Sequence, residues 1–170
     1  GVLIYVDSNL ESSEISLNSL FNEYVVVKIK GANGVYLTVC NVYRSPNSSC
    51  ENDTNLSELI NILCCNTKGD ILIVGDFNLG DINWGNYTAS NNNLSSQLFI
   101  KVLRDNLLTQ LTDTPTRARG TDTPHILDLV IVNNPFVESV KHLAPLGKSD
   151  HVVLNIVCNF NINIFYRWSL

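Results

Sequence analysis

The sequence predicts an α+β fold made of two packed, mostly antiparallel β-sheets with helices on their outer faces. Two observations support this class. Apolar runs rich in β-branched residues recur along the chain, and each run is bounded by turn residues. Between these runs, segments 55–65 and 94–106 carry apolar residues at the spacing of an amphipathic helix. Strands and amphipathic helices in one chain bury their apolar faces by packing in layers.

The first part of the chain is predicted to be mostly β-strand. Residues 1–6 (GVLIYV) form the first predicted strand, and a polar, serine-rich loop follows at 9–22. Two strong β runs come next, at 24–30 and 35–43. The segment 31–34 (GANG) between these two runs is typical of a hairpin turn.

The middle of the chain predicts a strand–helix–strand unit over residues 35–75. The apolar stripe of its helix consists of Leu56, Leu59, Ile60, Leu63 and Cys64. Asn55 and Glu58 resemble the capping box that starts a helix. After Gly69, the apolar run 71–74 (ILIV) is typical of a buried strand.

The second half of the chain alternates loops, one helix and short strands. A polar loop is predicted at 81–93, and a loop rich in Thr, Pro and Arg at 112–124. Further strands are predicted at 108–111, 127–132, 137–143 and 152–160. No repeat or linker marks a second domain, so residues 1–160 are assigned to one domain and the unpatterned residues 161–170 to a C-terminal tail.

The composition indicates a globular protein and excludes several classes. Hydrophobic residues make up 45% of the chain and charged residues 16%, which fits a chain with a real core. No apolar run approaches the roughly 20 residues that span a bilayer, so no membrane partner is expected. The net charge of −5 argues against strong non-specific nucleic-acid binding. It does not exclude a nuclease that grips phosphate through a metal ion.

The cysteines predict neither a disulfide framework nor a zinc site. There are five, which is an odd number, and no two are spaced as CxxC. Reduced thiols are the simpler interpretation, which favours an intracellular protein, either nuclear or cytoplasmic.

Two polar residues closely follow the apolar run 71–74. Asp76 and Asn78 are two residues apart, so both side chains point to the same side if the extended backbone persists through the turn. Gly75 allows a close backbone approach or a turn just before them. The pair either lies at the rim of a cleft or forms an ordinary Asp/Asn turn.

Later strands carry a second group of polar residues. Asp128 interrupts the apolar run 127–132, where a buried carboxylate needs a partner, either backbone donors or a histidine. Asp150 and His151 directly precede the strand at 152–160. An aspartate that bonds His151 would fix the tautomer of the imidazole and favour its charged form.

The remaining histidines and the loop arginines give weaker indications of a functional role. His125 and His142 lack a comparable setting and are interpreted as loop or surface residues. Arg117 and Arg119 are loop cations that are either solvated or in contact with a phosphate backbone.

Four motifs in a fixed order resemble the endonuclease/exonuclease/phosphatase superfamily. They are Tyr43-Arg44-Ser45-Pro46-Asn47, Gly75-Asp76-Phe77-Asn78, Leu127-Asp128-Leu129-Val130 and Ser149-Asp150-His151. This superfamily has a metal-dependent fold shared by apurinic endonucleases and DNase I. The DINW segment at 81–84 and the PTR segment at 115–117 are similar to the endonuclease domain of non-LTR (LINE-type) retrotransposons. The resemblance covers essentially residues 1–160, and the four motifs together are far more specific than any one alone.

The resemblance implies a catalytic role for each matching residue. Asp76 would orient or deprotonate the attacking water, and Asn78 would support it and touch the phosphate. His151, oriented by Asp128, would bond the scissile phosphate and stabilise its developing charge. Tyr43 would also contact the phosphate.

The same resemblance implies a metal ion and a substrate. Asp150 would help to hold a divalent cation, Mg²⁺ or Mn²⁺. Thr116, Arg44 and Arg117 would form the phosphate- or DNA-binding group, with Thr116 shaping the site. The implied substrate is DNA, with no small-molecule cofactor, and the sequence does not indicate an oligomeric state.

Two further motifs of the superfamily, an early Asn and a metal-binding Glu, are expected to precede Gly1. Neither Glu11 nor Glu14 follows a buried strand as that Glu does. The implied fold is therefore a DNase I-like four-layer sandwich that lacks its first strands. Because Asp150 is then the main carboxylate for the metal ion, the fragment is expected to be weak or inactive.

Two other functions stay open on the sequence. One is a phosphoesterase of the same fold that acts on a lipid or a nucleotide. The other is a decayed, non-catalytic fragment. The loop at 114–117 (TPTR) and the DINW segment favour the endonuclease.

Overall fold

The computed structural model describes residues 1–31, 34–118, 123–159 and 162–166. Within these residues the helices are α1 (Cys50–Asn66) and α2 (Leu94–Asp105). The strands are β1 (Ser12–Glu14), β2 (Tyr24–Lys30), β3 (Tyr36–Tyr43), β4 (Asp70–Asp76), β5 (Thr109–Gln110), β6 (Asp128–Val132), β7 (Val137–Leu143), β8 (Val153–Cys158) and β9 (Ile162–Tyr166).

The strands form two mostly antiparallel sheets, as the sequence predicts. The larger sheet has the order β1-β2-β3-β4-β6-β5, and the smaller sheet has the order β7-β8-β9. In the described part of the chain, β3 and β4 are the one parallel pair, and α1 connects them. Parallel strands have their carboxyl ends at the same edge of a sheet, so the residues that end β3 and β4 lie next to each other.

Two apolar cores lie on opposite faces of the larger sheet. Ile71 and Ile73 of β4 join residues of α1 and α2 in the first core. Leu72 and Val74 join residues of β8 in the second core, between the two sheets. Strand β4 is thus covered on both faces, as its unbroken apolar run predicts. The described residues form three layers, and the fourth layer of the predicted sandwich is not among them.

Helix α1 begins earlier than the predicted range of 55–65. The structure begins it at Cys50. Ser49 is the N-cap, and its hydroxyl accepts a hydrogen bond from the backbone N–H of Asn52 at 3.1 Å. Asn55 therefore lies inside the helix, and the predicted capping box was wrong. The first turn was missed because its polar residues lack the apolar periodicity on which the prediction rested.

Residues 1–6 are not a strand, so that prediction was wrong. Ile4 and Val6 pack against the second core, and the Asn41 side-chain amide donates a hydrogen bond to the Leu3 carbonyl at 3.1 Å. The apolar run 1–6 was the basis of the strand prediction. It could not predict whether a neighbouring strand is present to form a ladder with it, and none is found among the described residues.

Two strands lie in segments where none was predicted. β1 falls within the predicted loop at 9–22 and pairs antiparallel with β2. β9 falls within the predicted tail at 161–170 and pairs antiparallel with β8. The three residues of β1 are exposed, so this strand is formed by backbone pairing without an apolar pattern that could have revealed it.

The other predicted strands and helix α2 are present with boundaries shifted by a few residues. Ala32 and Asn33 of the predicted hairpin turn, and the loop cation Arg119, lie outside the described residues. In the described part of the chain, neither helix has the length and apolar character required to cross a membrane.

Candidate active site

Three polar residues lie side by side at one edge of the larger sheet. In the strand register, Tyr43 of β3 pairs with Asp76 of β4, and Asp76 pairs with Asp128 of β6. Directly opposed residues on neighbouring strands point to the same face of a sheet. All three side chains therefore point to the face that carries the smaller sheet.

The backbone around Asp76 has two special features. A Cβ at Gly75 would lie 1.9 Å from the Val42 carbonyl oxygen, so only glycine fits there. Asn78 adopts a left-handed conformation with a φ of 50°, which Asn tolerates better than most residues. In this turn the Asn78 backbone N–H donates to Asp76 Oδ1 at 3.0 Å. A turn, and not a continuing strand, brings Asp76 and Asn78 together.

The imidazole of the site comes from the segment that leads into β8. His151 Nδ1 lies 2.8 Å from Asp128 Oδ2, so the hydrogen bond expected from the sequence is present. A carboxylate can only accept, so this bond assigns the ring proton to Nδ1 and fixes the orientation of the imidazole.

Thr116 positions Asp128 through hydrogen bonds to the backbone. Its hydroxyl oxygen accepts hydrogen bonds from the backbone N–H groups of Leu127 at 3.1 Å and Asp128 at 2.9 Å. Thr116 is 0% exposed, so its side chain does not reach a bound substrate. The prediction that Thr116 helps to shape the site fits this geometry, whereas its assignment as a phosphate or DNA ligand does not.

The electrostatics of the site centre on Asp76. This residue is only 4% exposed, and burial raises the pKa of its carboxyl group to about 7. The charge of Asp128 acts in the same direction, while His151 and the hydrogen bonds of Asn78 act against it. An aspartate with a pKa near 7 exchanges a proton readily at neutral pH.

The pKa of His151 is raised above its ordinary value. Burial by itself lowers the pKa of the imidazole. The hydrogen bond and charge of Asp128, together with the charges of Asp76 and Asp150, outweigh the burial. The surrounding carboxylates thus favour the imidazolium form, which carries a positive charge into the site.

Asp150 lies next to His151 but is engaged by a cation. Arg117 Nε donates to Asp150 Oδ2 at 3.0 Å, and both side chains are partly exposed. This hydrogen bond lowers the pKa of the Asp150 carboxyl group. Asp150 is therefore an ionised carboxylate whose charge is partly offset by Arg117.

Arg44 is buried and forms a clamp behind the site. Its guanidinium binds Asp53 of α1 in a bidentate manner, with Nε–Oδ1 at 2.6 Å and Nη2–Oδ2 at 3.0 Å. Arg44 Nη1 also donates to the Phe77 carbonyl at 3.2 Å, and the Arg44 carbonyl accepts from the Asn78 side chain at 2.9 Å. The clamp thus connects α1 to the turn that follows Asp76.

This geometry contradicts one sequence prediction. Arg44 was expected to bind phosphate, but it is 5% exposed and its donors are used inside the protein. The reason is the acid at position 53, which lies in the first turn of α1, the turn that the helix prediction missed. Without that turn, the sequence offered no internal partner for Arg44.

The described residues include donors that could hold a cation. Ligand atoms of Asp76, Asp128 and His151 all lie within 4.8 Å of one another. Two of these donors are carboxylates whose mutual repulsion contributes to the raised pKa of Asp76. A divalent cation would relieve that repulsion, and carboxylate oxygens suit Mg²⁺ or Mn²⁺. The two carboxylates therefore fit such an ion, whereas His151 Nδ1 is already bonded to Asp128.

Comparison with known protein families shows to which family the chain belongs. The family model described as "Endonuclease-reverse transcriptase" matches residues 37–155, which contain all four sequence motifs. The chain belongs to the endonuclease-reverse transcriptase family. No curated protein matches the chain at a significant level.

Solved structures share the fold of this endonuclease-reverse transcriptase chain. The endonuclease domain of TRAS1, a telomere-specific non-LTR retrotransposon, superposes with a TM-score of 0.68 at 15% identity, covering 92% of this chain and 72% of that domain. An endonuclease/exonuclease/phosphatase family protein from Leptotrichia buccalis has a TM-score of 0.54 at 16% identity, with coverages of 79% and 52%. The human Nocturnin catalytic domain has a TM-score of 0.53 at 17% identity, with coverages of 88% and 59%.

These likenesses establish the DNase I-like fold of the family member and not its substrate. The chain spans about half to three quarters of the length of these three structures. The recognition of the superfamily from the four motifs is confirmed, as is the α+β fold class.

The structure brings together the residues that the sequence singled out as candidates for catalysis. Tyr43, Asp76 and Asp128 form one row, and His151 is bonded to the end of it. Asn78 lies against Asp76. Sequence reasoning missed Asp53, because nothing local marks an acid in a helix as the partner of an arginine nine residues away.

Proposed function

We propose that this site hydrolyses phosphodiester bonds in DNA, as the metal-dependent, nicking endonuclease domain of a retrotransposon-like protein. The observation that carries the proposal is the arrangement of Asp76 and Asp128 in register, with His151 bonded to Asp128 at 2.8 Å. This arrangement combines a proton acceptor near neutral pH with an oriented imidazole. Phosphodiester cleavage needs an activated water and donors that stabilise the charge developing on the phosphate.

Asp76 is assigned the role of proton acceptor. Its pKa of about 7 allows it to take a proton from a water molecule at neutral pH. The hydrogen bond from the Asn78 backbone holds one carboxylate oxygen, which fixes the orientation of the group. The Asn78 side chain and Tyr43 lie beside Asp76 and are assigned contacts with the phosphate.

His151 is assigned the role of charge stabiliser. Its raised pKa favours the imidazolium form, which donates a hydrogen bond and attracts the phosphate oxygens. Asp128 holds Nδ1, so that the ring keeps one orientation during the reaction. Arg117 is assigned a contact with a neighbouring phosphate, since its guanidinium is partly exposed next to Asp150.

Asp150 is assigned to the metal ion, Mg²⁺ or Mn²⁺, which would neutralise charge on the phosphate. Asp76 and Asp128 are assigned to proton transfer and to His151, and Arg117 already binds one oxygen of Asp150, so Asp150 by itself makes a weak cation site. Mg²⁺ gives up hydration water reluctantly and is held poorly by a single carboxylate. For this reason the chain of 170 residues is expected to have weak activity.

The test is plasmid relaxation by the chain in excess over supercoiled DNA. Nicked circles are expected to accumulate slowly with Mg²⁺ or Mn²⁺ and not with EDTA. Phosphoinositide vesicles, sphingomyelin and nucleotides assayed in parallel are expected to remain intact. Release of phosphate from a lipid or nucleotide, with supercoiled DNA left unchanged, would contradict the proposal and favour a phosphoesterase of the same fold.

Replacing Asp128 with Asn is expected to lower the pKa values of both His151 and Asp76. Asp128 raises the pKa of His151 by its hydrogen bond and charge, and it raises the pKa of Asp76 by its charge, so its removal shifts both downward. The shifts are measured by NMR titration of the His151 ring protons and the Asp76 carboxyl carbon in metal-free buffer. An unchanged or raised His151 pKa in this variant would show that Asp128 does not stabilise the imidazolium.

A further inference from the structure

His125 lies in a row with two residues of the candidate active site. Arg117 forms antiparallel backbone bridges with His125 on one side and with His151 on the other. Opposed residues in such bridges point to the same side, so His125 and Arg117 share the side of His151. Two strand spacings separate His125 from His151, which is roughly 10 Å.

The ring of His125 is held against the turn that follows Asp76. Its Nδ1 lies 3.0 Å from the Gly80 carbonyl oxygen. A carbonyl can only accept, so Nδ1 carries the proton and donates it to Gly80. A Cβ at Gly80 would lie 3.1 Å from two atoms of the ring, so the glycine leaves just enough room for the imidazole.

This hydrogen bond decides what the other ring nitrogen can do. With Nδ1 committed to Gly80, protonation of the exposed His125 adds a second N–H at Nε2 and a positive charge. An imidazolium held in one orientation on an exposed surface is a donor suited to an anionic oxygen. In a chain with a net charge of −5, a nucleic acid must be bound through such local cations.

We propose that His125 binds a phosphate group of the nucleic-acid strand a few nucleotides from the one that is cleaved. The inference rests on the proposed function, because it extends the same site along the substrate. A DNA strand advances about 3.4 Å per nucleotide along its axis, so a separation of roughly 10 Å places His125 at a different phosphate from the one at His151. His151, Arg117 and His125 then form a track for successive phosphates.

The experiment measures DNA binding without cleavage. Fluorescence anisotropy of a labelled duplex is recorded in EDTA at pH 6 over a range of salt concentrations. The variant His125→Asn places an amide N–H near the position of Nδ1 and removes Nε2, so the bond to Gly80 can be kept. The variant His125→Gln carries an amide N–H near the position of Nε2.

His142 provides the matched control. It is a partly exposed histidine with a side-chain hydrogen bond, to the Thr114 hydroxyl at 3.0 Å, and it lies on β7 outside the row. The variant His142→Asn therefore removes a comparable imidazole from the surface. Thermal unfolding of each variant establishes that the fold is intact.

We expect a loss of DNA affinity only when a residue of the row is replaced. His125→Asn is expected to weaken binding about tenfold and to reduce the slope of log K against log salt by about 1. His125→Gln is expected to recover part of the affinity, and His142→Asn to leave it unchanged. Equal affinities and slopes for the unaltered chain and His125→Asn, with plasmid nicking intact, would overturn the inference alone. An absence of both DNA binding and nicking by the unaltered chain would overturn the proposed function with it.

Discussion

Replacing Asp76 with Asn is expected to lower the rate of DNA nicking by about 10²–10⁴-fold. The reason is that the amide cannot accept a proton from water, and general base catalysis contributes a factor of this size. The measurement is plasmid relaxation under single-turnover conditions. Asp70 begins the same strand at its opposite end, so Asp70→Asn is the matched control and is expected to leave the rate unchanged.

The same Asp76 variant is expected to be more stable than the unaltered chain above pH 7. The pKa of Asp76 is raised from 3.8 to about 7 in the folded protein, so its contribution to stability is present at low pH and is lost as the pH rises through 7. An uncharged amide avoids that loss. A variant that is less stable at pH 8, or that nicks DNA at the normal rate, would contradict the role given to Asp76.

Replacing Asp53 with Asn is expected to lower the free energy of unfolding by about 3–5 kcal/mol. Both Asp53 and Arg44 are 5% exposed, so the variant leaves a buried guanidinium without its counter-charge. Chemical denaturation at pH 7 measures the loss. The exposed ion pair of Lys101 and Asp105 is the control, since Asp105→Asn is expected to change stability little.

The contribution of Asp53 also depends on pH. Burial raises the pKa of its carboxyl group, but hydrogen bonds from Arg44, Ser95 and Ser48 outweigh this and hold the pKa below its ordinary value. The stabilisation is therefore present above the ordinary aspartate pKa of 3.8 and is lost as the pH falls through the lowered value. The difference between the unaltered chain and Asp53→Asn should shrink in acid. A difference that is constant with pH, or a loss no larger than that of Asp105→Asn, would show that the clamp does not hold the fold together.

The clamp links this stability prediction to the site. Arg44 Nη1 binds the Phe77 carbonyl, and the Arg44 carbonyl receives the Asn78 side-chain amide. Loss of Asp53 would therefore also disturb the turn that presents Asp76 and Asn78. A rate reduced in the folded Asp53→Asn variant at low temperature is the expected companion result.

Local pattern was enough to predict the parts of the fold that depend on nearest neighbours. The run 71–74 predicted a strand buried on both faces, because every position is apolar, and that strand is β4. Helix α2 was predicted closely, because its buried apolar residues Phe99, Val102 and Leu103 recur at helical spacing. Helix α1 was predicted too short, because its first turn is polar and is started by Ser49.

The sequence was enough to choose the residues of the site. It was not enough to assign the role of each one. Asp76, Asp128 and His151 stood out because polar groups beside apolar strands need partners, and the structure places all three together. Arg44 stood in one of the four motifs and Thr116 in the PTR segment, yet both are buried and serve the protein interior. A sequence motif shows that a residue matters without showing which of its neighbours it bonds.

The sequence by itself determined both helices, most of the strands, the burial of β4 and the polar residues at strand ends. Tertiary structure alone decided the pairing of Arg44 with Asp53, the absence of a strand at 1–6 and the alignment of His125 with His151. The physical reason is the distance along the chain over which each interaction acts. Periodicity and propensity act between residues a few positions apart, whereas hydrogen bonds and ion pairs join groups that only the folded chain brings within about 3 Å.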